Sequence, residues 1–211
     1  MKTIDIHAHI VPDSLWRAIE AKQDWHGFRH EAGEGLGAMI GCGMRTTFTS
    51  PKVRYTLEER LKDMDEQKVD VQVLSIHTPF VGYHLDPDQG LELARDVNDE
   101  IGATVHQSSG RLAGLATLPV QDVNSAIDEL ERAVTKLGLK GASLDTHVNG
   151  EQWDEPKSLR FFKAAEQMGA LLFYPPQPQP GIAPVPGRAG GVQTRHDTIG
   201  RRQRQPEVPE E

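Results

Sequence analysis

The chain has 211 residues, of which 37% are hydrophobic and 26% charged, a composition typical of a globular protein with a polar surface. Its net charge of −8 disfavours a general binder of nucleic-acid phosphates. No segment reaches the ~20 apolar residues of a membrane span, and the single cysteine, Cys42, excludes an internal disulfide. We therefore expect a cytoplasmic protein that binds neither nucleic acid nor membrane.

Five short segments rich in β-branched and apolar residues predict β-strands. They lie at residues 3–6, 69–76, 112–118, 141–144 and 170–174. The last two begin 29 residues apart, which is about the length of one strand–helix unit in a parallel sheet.

Amphipathic helices are predicted between these strands. Thr56 and Glu59 have the spacing of a capping box, which predicts a helix through Gln67. Further helices are expected to begin at Asp86, Asp122 and Asp154, each followed by apolar residues at steps of three and four. Strands that alternate with such helices predict an α/β fold with a parallel sheet.

Two segments do not follow this alternation. Residues 14–52 are glycine-rich and irregular, which predicts an inserted loop over one end of the sheet. Residues 175–211 contain eight prolines and no aromatic residue, so they cannot bury enough apolar surface to offset the entropy of ordering. The sequence therefore predicts one domain over residues 1–174 and a disordered tail over 175–211.

A His-Ala-His segment follows the first predicted strand. Residues two apart on a strand face the same side, so the imidazoles of His7 and His9 are expected to project together from its carboxyl end. In parallel α/β folds, ligands and catalytic groups collect at that end. Two such nitrogens can bind one divalent ion, although a histidine pair at this spacing also occurs by chance.

Two further histidines follow other predicted strands. His77 ends the second strand and His147 follows the fourth, which places both at the same end of the sheet as His7 and His9. A single histidine at a strand end is most often a hydrogen-bonded structural residue. The convergence of three strand ends on histidine makes His77 and His147 candidate catalytic residues.

Several separated blocks carry a resemblance to a known family. They read DIHAHIVP at 5–12, RLKDMD at 60–65, VDVQVLS at 69–75, GLATLP at 114–119 and GASLDTHVN at 141–149. With these blocks, residues 1–179 resemble the amidohydrolase-related metal enzymes of the aminocarboxymuconate-semialdehyde decarboxylase type.

The resemblance implies a (β/α)₈ barrel of the TIM type, in which the first-strand histidines, here His7 and His9, bind Zn²⁺ or another divalent metal. It further implies non-oxidative decarboxylation of an unsaturated or aromatic carboxylic acid, or hydrolysis on the same scaffold. A cationic side chain would hold the carboxylate of this small-molecule substrate, and Arg45 and Arg54 are the candidates. Family members are often homodimers.

One departure from the family pattern bears on activity. The family's fifth strand typically ends in Phe-x-His-Pro, whereas residues 173–176 here read FYPP, so proline stands where a third metal ligand is expected. Beyond Gln179 the resemblance ends, and about five strand–helix units of eight are recognisable. We interpret this as a truncated product or a lost reading frame, which predicts weak metal binding and little or no decarboxylase activity. A non-catalytic remnant is the alternative.

Overall fold

A computed structural model describes residues 1–175 of the chain. The predicted tail lies, from residue 176 onward, outside the described residues. The strands are β1 (Ile4–Ile10), β2 (Arg29–Glu31), β3 (Ala38–Gly41), β4 (Met44–Thr47), β5 (Val71–Ile76), β6 (Leu112–Gly114), β7 (Gly141–Ser143), β8 (His147–Val148), β9 (Glu151–Gln152) and β10 (Leu171–Phe173). The helices are α1 (Asp13–Glu20), α2 (Leu57–Gln67), α3 (Pro87–Gln107), α4 (Val123–Thr135) and α5 (Ser158–Met168).

The five predicted strands form parallel pairs in chain order. β1 pairs with β5, β5 with β6, and β7 with β10. A parallel bridge between Ala116 and Ala142 joins the β6 side to β7. Helices connect successive strands, as parallel pairing requires. The α/β fold with parallel strands is confirmed, as a partial barrel in which four helices, α2 to α5, separate five strands.

The helices begin close to where their capping signals lie. At the start of α2 the Glu59 carboxylate accepts the Thr56 N–H at 2.8 Å, while the Thr56 hydroxyl accepts the Glu59 N–H, so the capping box is confirmed. α5 begins at Ser158 rather than at Asp154, because residues 153–157 form turns. None of the helices within residues 1–175 is long and apolar enough to cross a membrane.

The inserted segment differs from the irregular loop that its composition suggests. It contains α1 and a three-stranded antiparallel sheet in the order β2–β3–β4. One of its glycines serves close packing, because a Cβ on Gly41 would lie 2.5 Å from the ring of Phe28. The glycines that suggested a loop therefore permit tight contacts in a small sheet.

Aromatic packing fixes the insertion against the parallel sheet. Phe80 is fully buried in the short 3₁₀ turn Thr78–Phe80, just after β5. Its ring centroid lies 5.2 Å from that of Phe28 and 6.0 Å from that of Trp25. His77 is also in ring contact with Phe80, at 5.8 Å. The insertion therefore lies beside the carboxyl end of β5, where the candidate site is located.

The two outermost strands of the described sheet carry exposed apolar side chains. Ile4 and Ile6 of β1 are 56% and 57% exposed, and Leu171 of β10 is 54% exposed. Unpaired strand edges with apolar side chains are surfaces on which further strands can add.

Candidate functional site

β1 brings His7 and His9 together. Their Nε2 atoms lie 3.1 Å apart, and their ring planes meet at 79° with centroids 4.9 Å apart. Two nitrogen lone pairs repel at this distance unless a proton or a cation lies between them. The arrangement is therefore suited to share one proton or one metal ion.

The tautomer of His9 follows from its other ring nitrogen. Its Nδ1 lies 3.1 Å from the carbonyl oxygen of Ile76, which can only accept, so Nδ1 carries the hydrogen. In the neutral ring, Nε2 then presents its lone pair towards His7. Burial, together with the neighbouring His77 and His7, lowers the pKa of His9 to about 4. His9 is accordingly a neutral nitrogen donor at pH 7.

His77 lies next to this pair at the carboxyl end of β5. Its ring centroid is 5.4 Å from that of His9, and its backbone N–H donates to the Ile10 carbonyl at 3.0 Å. Burial lowers the pKa of His77 to about 4, so it too is neutral at pH 7. His7, His9 and His77 thus form a continuous series of ring contacts, which we call the histidine group.

His147 lies on the hairpin β8–β9. Its Nδ1 is 3.2 Å from the hydroxyl of Thr146. The pKa of the neighbouring Asp145 is raised to about 6, mainly by burial, while His147 acts to lower it. The contacts of His147 thus lie in and next to its own hairpin, and its catalytic role stays a prediction.

The two candidate substrate-binding arginines are held by carboxylates of the chain. Arg45 on β4 forms an ion pair with Glu31 at 2.9 Å, and Arg54 forms one with Glu20. The Arg54 guanidinium also lies 5.4 Å from the centre of the Trp16 ring. Both arginine side chains are about half exposed, so each could exchange its partner for another carboxylate at modest cost.

The described residues include side chains of the kinds that bind metal ions. His7 and His9 offer imidazole nitrogens, the donors that zinc and similar divalent ions accept. Within residues 1–175, no group of three or more histidine, cysteine or carboxylate side chains has the geometry to hold an ion. Within these residues, His7 and His9 can therefore offer a metal ion two nitrogen ligands.

Sequence reasoning did not assign a role to the residues that support this pair. Arg60 of α2 donates through Nη2 to the His9 carbonyl at 3.1 Å and through Nη1 to Gln72 at 2.7 Å. Its position in the block at 60–65 is the one sequence signal that could have drawn attention to it. The block itself does not reveal a contact that spans 51 residues of chain.

Comparisons with known proteins agree with the fold. The family model described as amidohydrolase matches residues 4–184. The 2-amino-3-carboxymuconate-6-semialdehyde decarboxylase of Dictyostelium discoideum is 31% identical over 179 residues, which are 82% of this chain and 48% of that protein. The gamma-resorcylate decarboxylase of Rhodococcus jostii is 31% identical over 127 residues, 56% of this chain and 39% of that protein.

A solved structure shares the same architecture. The dihydroxybenzoic acid decarboxylase of Polaromonas sp. JS666 superimposes with a TM-score of 0.62 at 22% identity, over 85% of this chain and 51% of that one. The chain spans about half the length of the curated relatives it matches or less. Since the family model matches most of its residues, the chain belongs to the amidohydrolase family.

Proposed function

We propose that the chain carries the metal-binding histidines of a metal-dependent, non-oxidative decarboxylase that acts on an unsaturated or aromatic carboxylic acid. The observation that carries this proposal is the 3.1 Å approach of the His7 and His9 Nε2 atoms at a strand end. The ion would be Zn²⁺ or another divalent metal held by His7 and His9.

The relatives support the class of reaction. Two of them are named as decarboxylases of 2-amino-3-carboxymuconate-6-semialdehyde and of gamma-resorcylate, both of them carboxylic acids. The decarboxylase of Polaromonas that shares the fold was solved with bound manganese and the inhibitor 2-nitroresorcinol. These properties belong to those proteins, and they support the same assignment for the histidine group here.

The side chains of the chain can be assigned roles on this basis. When bound, the metal would act as a Lewis acid towards a substrate oxygen. His9 would keep its lone pair on Nε2 because Ile76 holds its Nδ1 hydrogen. Arg45 or Arg54 would bind the substrate carboxylate after releasing Glu31 or Glu20, and bidentate pairing favours arginine for this purpose.

His77 and His147 are proposed as catalytic residues with different support. His77 is in ring contact with His9, so a proton on its ring would lie close to a substrate at the metal. His147 would reach the substrate only if the hairpin β8–β9 faces the same space. We further propose a cytoplasmic, homodimeric protein, on the basis of the lone, exposed Cys42 and of the family resemblance.

Metal binding is the first test of the proposal. Equilibrium dialysis with Mn²⁺ or Zn²⁺ should show binding by the 211-residue chain that weakens at least tenfold in His7→Ala and His9→Ala. His106→Ala is the matched control, because His106 is an exposed histidine in the last turn of α3. Equal metal binding by the wild type and the His7→Ala/His9→Ala double variant would overturn the proposal.

Product analysis is the second test. The chain is incubated with the metal and carboxyl-¹³C-labelled 2,6-dihydroxybenzoate or 2-amino-3-carboxymuconate-6-semialdehyde, and ¹³CO₂ is measured by mass spectrometry. We expect slow, chelator-sensitive release that His9→Ala abolishes and His106→Ala retains. Hydrolysis products without ¹³CO₂ would show that the chain is a hydrolase and not a decarboxylase. Metal binding without any product would show that it is a non-catalytic metal-binding domain.

A further inference from the structure

We propose that Arg60 is a positioning residue for the His7–His9 pair, acting through Gln72 and Asp5 to hold β1 in the irregular conformation that brings the two Nε2 atoms together. This inference rests on the proposed function, because it concerns the same metal site.

The pairing of β1 with β5 is irregular between Asp5 and Ala8. Asp5 pairs with Gln72 of β5, and Ala8 pairs with Leu74, so three residue steps on β1 match two on β5. An extra residue of this kind is left outside the ladder, and it bends the strand and redirects its side chains. His7 lies within this stretch, so the direction of its ring depends on how the irregularity is held.

The backbone at the irregularity needs a partner, because an N–H group without one costs stability. The His7 N–H donates to Oδ1 of Asp5 at 3.1 Å. The other carboxylate oxygen of Asp5, Oδ2, accepts from Nε2 of Gln72 at 3.0 Å. Asp5 therefore connects the bulged backbone of β1 to a side chain of β5.

Gln72 is in turn hydrogen-bonded to Arg60. Its side-chain oxygen accepts from Arg60 Nη1 at 2.7 Å, and the residue is only 5% exposed. A carboxylate on one side and a guanidinium on the other permit only one orientation of the amide. The buried glutamine is thus fixed between an acceptor and a donor, and a rotated amide would lose both bonds.

Arg60 closes the network by donating a second hydrogen bond. Its Nη2 donates to the His9 carbonyl at 3.1 Å, while Nη1 bonds to Gln72. One guanidinium therefore holds β1 on both sides of the irregularity: at His9 directly and at the His7 N–H through Gln72 and Asp5. Lysine, with a single ammonium group, cannot reproduce this forked contact.

Arg111 offers a matched control for a purely structural arginine. It also donates to strand-flanking backbone carbonyls, those of Asp70 and Val69, and it pairs with Asp65. These contacts lie before the start of β5, at the end of the sheet opposite the histidine group. Replacement of Arg111 should therefore loosen the sheet without changing the His7–His9 pair.

The experiment compares Arg60→Gln with Arg111→Gln in the full 211-residue chain. The first readout is the Kd for Mn²⁺ by equilibrium dialysis, with unfolding in urea measured in parallel. We expect Arg60→Gln to weaken Mn²⁺ binding about tenfold or more, as loss of a group that orients metal ligands does. Arg111→Gln should leave the Kd unchanged, and Arg60→Lys should lie between Arg60→Gln and the wild type.

The second readout needs no metal. Amide hydrogen exchange of His7, followed by NMR in the presence of a chelator, should accelerate about tenfold in Arg60→Gln and stay unchanged in Arg111→Gln. If Arg60→Gln does not fold, Gln72→Met removes the same connection and is measured in its place. Loss of metal binding by both arginine variants alike, or by neither, would overturn the inference.

The two proposals fail in different ways. A wild-type chain that binds no Mn²⁺ refutes the proposed metal site. The exchange of the His7 amide then decides alone whether Arg60 holds the pair. Wild-type binding that Arg60→Gln leaves intact refutes only the positioning role.

Discussion

The parallel sheet and the antiparallel sheet of the insertion are stabilised in different ways. β5 of the parallel sheet places the polar residues Gln72 and Ser75 in the interior, next to Leu74 and Ile76. These buried polar groups persist because they have hydrogen-bond partners, such as Arg60 for Gln72. In the antiparallel sheet the polar side chains, such as Arg45, face solvent and form surface ion pairs.

The two sheets differ in how firmly they can hold a functional group. The parallel sheet holds polar side chains in fixed positions, which a metal or substrate site requires. The insertion depends on aromatic side chains packed around Phe80, and its charged residues gain little from their exposed pairs. We therefore expect mutations of the aromatic cluster, of the buried polar contacts and of the surface ion pairs to lower the free energy of unfolding by different amounts.

The largest effect is expected in the aromatic cluster of the insertion. Phe28 is 2% exposed and packs against Phe80 and Trp25, so Phe28→Ala should lower the free energy of unfolding by about 3–4 kcal/mol. Urea denaturation followed by circular dichroism measures this change. Met44→Ala, at a half-exposed position on β4, should cost no more than about 0.5 kcal/mol. Similar losses in both variants would show that the cluster does not hold the insertion.

A smaller effect is expected from the arginine of the parallel sheet. Arg60→Ala leaves Gln72 and the His9 carbonyl without their donor, which should lower the free energy of unfolding by about 2 kcal/mol. Arg45→Ala removes only an exposed ion pair and should cost about 0.5 kcal/mol or less. The same urea titration tests both, and a loss in Arg45→Ala that matches Arg60→Ala would contradict the comparison.

The smallest effect concerns Asp145, which follows β7. Burial raises its pKa in the folded chain to about 6, above the ordinary value of 3.8. The unfolded chain therefore loses this proton first as the pH rises, and the folded state loses stability between about pH 4 and pH 6. Asp145→Asn removes this dependence.

The test compares the unfolding free energies of Asp145→Asn and of the wild type at two pH values. From pH 4 to pH 7, the unfolding free energy of Asp145→Asn should rise relative to that of the wild type by about 1 kcal/mol, since Asp145 retains partial contact with solvent. Urea titrations at the two pH values suffice. If the variant and the wild type differ in unfolding free energy by the same amount at pH 4 and at pH 7, burial does not raise the pKa of Asp145.

Local patterns in the sequence predicted most of the parallel region. β-branched segments located β5, and the spacing of Thr56 and Glu59 located the start of α2, because both signals arise within a few residues. The insertion was not predictable in this way. Its aromatic residues meet Phe80 across more than 30 residues of chain, and its glycines serve close contacts as well as turns.

The candidate site was likewise predictable only in part from the sequence. The sequence by itself determined the order of strands and helices, and hence that His9 and His77 lie at the carboxyl ends of two parallel strands. The tertiary structure decided that the His7 and His9 Nε2 atoms face each other, since an extra residue in β1 and the Ile76 carbonyl orient the rings. It also decided that Arg60 contacts His9. The physical reason is that secondary structure follows near neighbours, whereas side-chain direction depends on groups that only folding brings together.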